Sequence, residues 1–357
     1  MRFFALAGTL QGKMRKAVLM VNLGSPDGAD VPSVRRFLRE FLSDPRVIDM
    51  QPLARKMLLE LAILPFRPRR SAAAYRRVWT DDGSPLVSLS RRQMDGLQAR
   101  VDMPVHLAMR YGNPSIRSAL ETVRRDGTQR LLLMPMFPHY AMSSYETAVA
   151  RVMELSRQIA PMLKVDLVQP FYEEPAYIDA LVASAKPFLG DGFQRLLFSF
   201  HGIPERHVRN SDPSHAHCLC AKDCCHSEHP AQASCYRHQC LRTAELFVRR
   251  AGLDGKTCAI SFQSRLGRAQ WLAPYTVDAL QRFGQEKIGT LLVMTPSFVT
   301  DCLESLDEIA NEGREVFHKA GGGEMVLIPC LNDHPLFLDF LAGKVRHWQE
   351  SLPELAF

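Results

Sequence analysis

The sequence predicts an α/β protein made of two similar halves, each a parallel four-stranded sheet flanked by helices. Short apolar runs recur between helical stretches, they fall into two sets of four, and corresponding runs of the two sets end in similar turns. Continuous apolar strands that alternate with helices are typical of parallel sheets covered on both faces. With 357 residues, 46% of them hydrophobic, the chain can bury the cores of two ordinary domains.

Eight strands are expected, four in each half. The runs that predict them are AVLMVN (17–22), PVHLA (104–108), RLLLM (130–134), KVDLV (164–168), RLLFSF (195–200), TCAISF (257–262), TLLVM (290–294) and EMVLI (324–328). Helices are expected between them. The first helix carries an apolar face with the i, i+3, i+4, i+7 spacing, formed by Val34, Phe37, Leu38, Phe41 and Leu42.

The boundary between the halves is expected near residue 170, so the first domain covers 14–170 and the second 171–357. Residues 1–13 are interpreted as an N-terminal extension, because MRKAVLMVNLGSP (14–26) looks like a natural protein start. No apolar run reaches the roughly 18 residues of a membrane-spanning helix. The net charge of +6 is spread along the chain, so nucleic-acid binding is not required. We expect a cytoplasmic protein.

The ends of the predicted strands indicate a cleft with two chemically different walls. The first strand of each set ends in NLGSP or FHGIP, and the third ends in MPMF or TPSF. Ligands of open α/β sheets bind beyond the carboxyl ends of the strands. A lone histidine at a strand end is more often structural, so His201 by itself does not decide the function. Superposing the turns places His201, Asp301 and Glu304 on one wall and Leu23, Tyr140 and Ser143 on the other.

Several spaced motifs together resemble the ferrochelatases, which insert ferrous iron into a porphyrin. They are VNLGSP, VRRFLREFLSDPRVI, VWTDDGSPL, MRYGNPSI, SFHGIPERH, FQSRLGRAQWLAPYT, SFVTDCLESLDEI and PCLNDHP, between Lys16 and about Trp348. The resemblance implies two Rossmann-like, chelatase-type domains around a porphyrin cleft. It also implies a lyase of the last step of haem biosynthesis that exchanges two pyrrole protons for Fe²⁺. Protoporphyrin IX is the favoured substrate, with coproporphyrin left open.

The resemblance implies roles for single residues. His201 is the expected proton acceptor, since a neutral imidazole with a pKa of about 6.5 suits this task. Glu304 would meet Fe²⁺ together with His201, and Asp301 and Glu308 would continue one acidic helix face. A solvated acidic face and ordinary aromatic packing are the alternatives. The residues matching pocket-lining and propionate-side positions are Leu23, Trp79, Ser84, Arg110, Tyr111, Tyr140, Ser143 and Trp271.

Six of the nine cysteines lie in one histidine-rich segment, HCLCAKDCCHSEHPAQASCYRHQC (217–240). Clustered thiolates suit zinc or an iron–sulfur cluster. The segment, about 212–240, resembles that of a bacterial ferrochelatase subgroup with a 2Fe–2S cluster, which is therefore the favoured cofactor. Its ligands would be four of Cys218, Cys224, Cys225, Cys235 and Cys240, with Cys220 left over. Free thiols are one alternative, and zinc is another, partnered by His215, His217, His226, His229 or His238.

Residues 51–70 predict a lip that faces a membrane. An amphipathic, Arg-flanked segment too short to span can lie in a bilayer interface, and the family has a lip beside the porphyrin entrance. An ordinary core helix is the alternative. The expected partners are a porphyrin, Fe²⁺ and the inner-membrane surface, for a monomer or a homodimer. The residues concerned are Met57, Leu58, Leu59, Leu61, Ile63, Leu64 and Phe66, followed by Arg67, Arg69 and Arg70.

Two other functions stay open at this stage. The first is a related class II chelatase that acts on another metal or tetrapyrrole, such as cobalt or a sirohydrochlorin-like ring. The second is a haem- or metal-binding protein whose main site is the cysteine segment.

Overall fold

Eight β-strands form at the eight predicted apolar runs in a computed structural model. It describes residues 14–351 apart from 191, 222, 266 and 268, so the expected extension at 1–13 lies outside the described residues. Boundaries differ from the predicted ones by up to four residues. The strands are β1 (Lys16–Ser25), β2 (Val105–Gly112), β3 (Arg130–Pro135), β4 (Lys164–Leu167), β5 (Arg195–His201), β6 (Cys258–Gln263), β7 (Thr290–Met294) and β8 (Glu324–Leu327).

The strands form two parallel four-stranded sheets with the same topology. The order is β2-β1-β3-β4 in the first sheet and β6-β5-β7-β8 in the second. In both sheets the chain returns after the second strand through a cis X-Pro bond, at Pro114 and at Pro274. In each case that proline's carbonyl accepts a hydrogen bond from the strand just left, from Met109 and from Phe262. The two halves therefore repeat one design, as the similar turns indicate.

Helices connect the strands and cover both sheets. They are α1 (Val31–Ser43), α2 (Pro52–Met57), α3 (Arg67–Val78), α4 (Pro85–Gln98), α5 (Ile116–Arg125), α6 (Thr147–Ile159), α7 (Pro175–Ala185), α8 (Glu205–Asn210), α9 (Tyr236–Ala251), α10 (Thr276–Gln285), α11 (Arg314–Lys319) and α12 (Pro335–Ser351). The described part of the chain also contains the π-helical segments Leu58–Ile63, Met142–Glu146 and Glu304–Gly313. The last two follow the third strand of each sheet, which extends the repeat.

Helix α1 shows how local sequence sets an element. Its N-cap, Asp30, accepts a hydrogen bond from the Ser33 amide at 2.9 Å, which satisfies one of the free donors of the first turn. Of the predicted apolar face, Val34 and Leu42 are buried, whereas Phe41 is half-buried. The helix therefore packs on the side that its periodicity predicts.

The two halves share a continuous hydrophobic core. One buried cluster contains Val18 and Met20 of β1 together with Leu196 and Phe198 of β5. The C-terminal helix α12 also returns to the first half, where Trp348 donates its indole N–H to Asp166 at 2.9 Å. These contacts hold the two sheets in a defined relation to each other.

The lip segment has one buried and one exposed apolar face. Leu59 and Leu64 are each only 2% exposed, which matches the core-helix alternative. Met57, Leu61 and Phe66 are 54%, 69% and 75% exposed, which matches a surface that faces an apolar phase. No helix in the part of the chain that the structure describes is both long and apolar enough to cross a bilayer.

Candidate active site

His201 is the last residue of β5, and side chains hold its backbone on both sides. Its amide donates to Ser297 Oγ at 3.0 Å, and its carbonyl accepts from Tyr236 Oη at 2.8 Å. Burial lowers the pKa of His201, while the nearby Glu304 carboxylate opposes this shift. The imidazole is therefore neutral near pH 7 and is able to accept a proton.

Gly202 explains the turn that follows His201. Its amide donates to the Gln263 carbonyl at 2.8 Å. A Cβ here would lie 2.6 Å from that carbonyl oxygen and 3.2 Å from Trp271 Cε3, so the approach requires glycine. The structure thereby brings the predicted pocket residue Trp271 to the turn that carries His201.

Glu304 and Glu308 project from the π-helical segment Glu304–Gly313. The Glu308 carboxylate accepts a hydrogen bond from Ser264 Oγ at 2.7 Å. Burial raises the pKa of Glu308 to about 7, and Glu304 acts in the same direction, against the hydrogen bond from Ser264. Glu304 acts on both His201 and Glu308, so the structure brings these three predicted residues together. π-Helical turns are rare and are frequently found at functional sites.

Asp301 does not belong to this acidic face, which corrects the expectation of one continuous helix surface. It lies before the π-helix and is only 5% exposed. Its two carboxylate oxygens accept hydrogen bonds from Ser305 Oγ at 2.8 Å and Asn332 Nδ2 at 2.7 Å. Both oxygens are engaged, so Asp301 holds the turn that leads into the helix.

The first half contributes an apolar surface next to these carboxylates. Leu23 and Trp79 pack against the same buried cluster as Leu303, the residue before Glu304. Tyr75, which belongs to that cluster, meets Trp79 edge to face with ring centroids 6.1 Å apart. Leu23 and Trp79 thus share an apolar cluster with the residue next to Glu304, and their part in substrate binding stays a prediction.

Sequence reasoning did not connect Tyr75 or the lip residue Arg67 with Glu304, although both interact with it. Burial raises the pKa of Tyr75, and Glu304 adds to the shift. Burial lowers the pKa of Arg67, and the nearby Glu304 opposes this shift. Both residues belong to α3 and lie more than 200 positions before Glu304 in the sequence. No local sequence signal connects them with Glu304.

Tyr140 and Ser143 follow β3, as Glu304 follows β7. The Tyr140 amide donates to Gln239 Oε1 at 2.7 Å, and its hydroxyl donates to Glu146. Ser143 is half-buried in the π-helical turn Met142–Glu146. These positions confirm the internal repeat, while their part in substrate binding stays a prediction.

Arg110 and Tyr111, which are expected on the propionate side, both contact Asp44. The Arg110 guanidinium pairs with Asp44 and donates to Thr147 Oγ1 at 2.8 Å. Tyr111 is fully buried and donates to the same Asp44 carboxylate at 3.0 Å. Burial alone would raise the pKa of Asp44, but hydrogen bonds from its neighbours lower it, so the Arg110 charge is already neutralised. Ser84, the third residue expected on the propionate side, is 6% exposed at the N-cap of α4.

The cysteine segment folds with five of its six thiols inward. Cys218, Cys224, Cys225, Cys235 and Cys240 are buried and Cys220 is exposed. The Sγ atoms of the vicinal pair, Cys224 and Cys225, are 4.0 Å apart. Cys235 interacts with both Cys218 and Cys225. Even so, no group of three or more His, Cys, Asp or Glu side chains among the described residues is arranged to hold a metal ion.

Three histidines of the segment use a ring nitrogen to hold the backbone. His217 Nε2 lies 2.8 Å from the Cys224 carbonyl, and His238 Nδ1 lies 2.6 Å from that of Cys225. His229 Nδ1 accepts a hydrogen bond from the Ala231 amide at 3.1 Å. These contacts orient the three rings within the loop, and each engages one of the two ring nitrogens.

Comparison with known proteins matches the whole arrangement to one family. A family model described as Ferrochelatase matches residues 15–348. The chain belongs to the ferrochelatase family. The ferrochelatase of Opitutus terrae is 49% identical over 340 residues, which cover 94% of this chain and 98% of that protein. The ferrochelatase of Azotobacter vinelandii is 50% identical over 333 residues, covering 92% and 98%.

Solved structures support the fold of this ferrochelatase family member. SirB from Bacillus subtilis with Fe³⁺ aligns with a TM-score of 0.53 at 13% identity, covering 94% of this chain and 95% of SirB. The sirohydrochlorin chelatase SirB from Bacillus subtilis subspecies spizizenii, in complex with cobalt, gives the same TM-score and identity. At this identity the likeness concerns only the fold, which is the predicted chelatase-type pair of sheets.

Proposed function

We propose that the protein inserts Fe²⁺ into a porphyrin, with protoporphyrin IX as the favoured substrate. Membership of the ferrochelatase family supports this reaction over the sirohydrochlorin-type and metal-binding alternatives. The observation that carries the proposed mechanism is the meeting of a neutral, half-buried His201 with Glu304 and Glu308. Metallation releases two protons, and the imidazole and a carboxylate can take up one each.

His201 accepts the first proton in this mechanism. A neutral imidazole gains a proton as a pyrrole N–H is replaced by an N–Fe bond, and the Glu304 carboxylate beside it stabilises the resulting imidazolium. His201 and Glu304 also offer nitrogen and oxygen ligands suited to receiving Fe²⁺ before it enters the ring. Glu308 has a pKa of about 7, so its carboxylate can take the second proton and release it again.

The apolar wall supplies the binding surface in this proposal. Leu23, Trp79 and Trp271 present apolar or aromatic side chains that are only half-buried, so part of each remains available to a flat macrocycle. Carboxylate recognition must come from groups other than Arg110 unless substrate displaces Asp44, because that ion pair is already formed.

Replacing His201 tests the proposed base. His201→Ala should lower the rate of Fe²⁺ insertion by about 10²- to 10⁴-fold, the usual value of general base catalysis, while porphyrin still quenches protein fluorescence. His106→Ala is the control, because burial also lowers the pKa of that strand histidine but it lies on β2. Full turnover by His201→Ala would show that His201 is not the base. If the wild-type protein preferred sirohydrochlorin and cobalt, the proposed porphyrin substrate would be wrong.

We further propose that the buried thiols hold a 2Fe–2S cluster. Five buried thiols of one short segment support this proposal, since Cys235 interacts with both Cys218 and Cys225 and thiolates are the usual ligands of such clusters. Cys218, Cys225 and Cys235 are the best-supported ligands, and Cys224 or Cys240 would complete the set. When bound, the cluster would cross-link a segment that has little apolar core of its own.

Anaerobic purification followed by visible absorption and metal analysis tests the cluster. We expect two iron and two sulfide per chain, with loss of colour in Cys235→Ser and retention in Cys220→Ser, since Cys220 is exposed. One zinc per chain in colourless wild-type protein would overturn the cluster assignment.

We propose that the lip contacts a membrane surface at the inner membrane without spanning it. The exposed apolar side chains of Leu53, Met57, Leu61 and Phe66 stand beside exposed basic residues at 56, 69 and 70. This combination suits the interface of an anionic bilayer.

A further inference from the structure

Two side chains close a ring of hydrogen bonds around the backbone of His201. The His201 amide donates to Ser297 Oγ at 3.0 Å, and Tyr236 Oη donates to the His201 carbonyl at 2.8 Å. Tyr236 Oη and Ser297 Oγ lie 2.8 Å from each other. The peptide groups on both sides of the proposed base are therefore tied to one tyrosine and one serine.

The end of the β-ladder explains why these side chains are needed. On its β6 side, β5 stays paired as far as His201 and Gln263. On its β7 side, the ladder stops at Phe198 and Met294. Pro296 comes two residues later and has no amide proton to donate. Buried peptide groups need partners, and Ser297 and Tyr236 supply those that the ladder does not.

Tyr236 reaches His201 from the cysteine segment. It is the first residue of α9, directly after Cys235, and is 5% exposed. Its side chain also interacts with Cys240 one turn later, and its ring meets His139 edge to face at 5.9 Å. Cys240 and His139 thus flank the tyrosine, and its hydroxyl oxygen reaches the end of β5.

We propose that Tyr236 is a positioning residue for His201, acting with Ser297 to fix the backbone from which the imidazole projects. The proposal rests on the proposed role of His201 as the base. Tyr236 touches no reacting atom in this arrangement. Without the hydroxyl, the His201 carbonyl loses its donor and the last residue of β5 is free to turn.

Tyr236→Phe and Ser297→Ala test the proposal, because each opens the ring while removing few atoms. We expect each to lower kcat about tenfold, the scale of a small misplacement of a catalytic group, with the porphyrin KM unchanged. The double variant should be no slower than either single variant, since both cut the same ring. Tyr177→Phe is the control, because its buried hydroxyl donates to the Pro296 carbonyl at 3.2 Å without touching His201.

Chemical modification provides a readout that does not depend on activity. Diethyl pyrocarbonate should acylate His201 faster in Tyr236→Phe and Ser297→Ala than in the wild type, and at the wild-type rate in Tyr177→Phe. Equal modification rates and a kcat like that of Tyr177→Phe would overturn the positioning role. If Tyr236→Phe does not fold, the same measurements on Ser297→Ala test the positioning role. If His201 were modified faster in Tyr236→Phe while His201→Ala kept full turnover, the ring would position His201 but His201 would not be the base.

Discussion

Gly202 is the residue on which the geometry of the proposed site depends most directly. The chain turns after His201 over the end of β6, and the Gly202 amide and Cα pack against Gln263 and Trp271. No side chain fits between them, because any Cβ would contact the Gln263 carbonyl at 2.6 Å. The close approach that places His201 next to Trp271 is therefore possible only with glycine at position 202.

Gly202→Ala should consequently weaken metallation and stability together. The added Cβ must displace either the Gln263 backbone or Trp271, and overpacking of this kind costs about 1–3 kcal/mol. Urea unfolding measures the loss of stability, and steady-state assays measure kcat and KM. Gly190→Ala is the control, because a Cβ there meets nothing within 4 Å. Wild-type kcat in Gly202→Ala would show that the close approach is not required.

Ionisation of Glu308 is unfavourable in the folded state. Its pKa is raised from 4.5 to about 7 by burial, with Glu304 adding to the shift. Between these values the unfolded chain is ionised at this position while the folded protein keeps the proton. The Glu308 contribution to stability therefore falls as the pH rises from about 4.5 through about 7.

Glu308→Gln should raise the stability at about pH 8 and leave it unchanged near pH 4, because an amide never ionises. Thermal unfolding at both values measures this. The same variant should turn over more slowly, since it cannot accept a proton. Glu121→Gln, an exposed site on α5, is the control. Equal changes in melting temperature at the two pH values would show that the carboxyl is not buried as described.

At the scale of elements, the π-helical segments and the lip depart most from what periodicity predicts. The segment Glu304–Gly313 is wound with i→i+5 hydrogen bonds rather than as an α-helix. In the lip, the π-helical turn Leu58–Ile63 lies between α2 and α3. This region combines a buried anchor at Leu59 and Leu64 with an outward apolar face, so it can dock without unfolding.

Leu61→Glu combined with Phe66→Glu should abolish binding to vesicles of anionic lipid. Burial of one large apolar side chain contributes about 1.5–3 kcal/mol, so two charges in their place should weaken binding at least about a hundredfold. Co-sedimentation measures the bound fraction. Met162→Glu is the control, because this residue is 89% exposed but lies between α6 and β4. Unchanged sedimentation of the double variant would exclude the lip as the contact surface.

At the scale of the whole molecule, ion pairs join the first half to the helix that carries the acidic residues. Arg77 of α3 donates to both carboxylate oxygens of Asp307, at 2.6 and 2.5 Å. Asp307 is 3% exposed, and Asn311 donates to the same carboxylate at 3.1 Å. This bidentate contact fixes Glu304 and Glu308 relative to α3, where Tyr75 and Trp79 contribute to the apolar wall.

Arg77→Met should destabilise the protein by about 1.5–3 kcal/mol, the usual contribution of a hydrogen bond to a charged group. It should also lower kcat, because the π-helix loses its contact with the first half. Chemical denaturation and metallation assays measure both effects. Arg76→Met is the control, since the hydrogen bond of Arg76 to the Ala29 carbonyl is long, at 3.4 Å. A change in Arg77→Met no larger than in Arg76→Met would mean that this ion pair does not hold the helix.

Local signals in the sequence determined the strands, the repeat and the position of His201. An apolar run such as RLLFSF predicts a buried strand because its residues share one environment, and HGIP marks its end because glycine and proline break the ladder. Clustering likewise singled out the cysteines, five of which are buried. The family followed from several such motifs in order, and the comparison confirmed it.

Only the tertiary structure decided which side chains meet. Arg110 looked free for a carboxylate, yet folding brings Asp44, 66 positions away, against it. Asp301 and Glu308 looked equivalent, yet Asn332 engages Asp301 whereas burial near Ser264 leaves Glu308 to titrate near neutrality. Tyr236 reached His201 across 35 positions. Periodicity reports which face of an element is buried, but partners and pKa values depend on the path of the rest of the chain, because electrostatic and hydrogen-bond energies depend on distances in space.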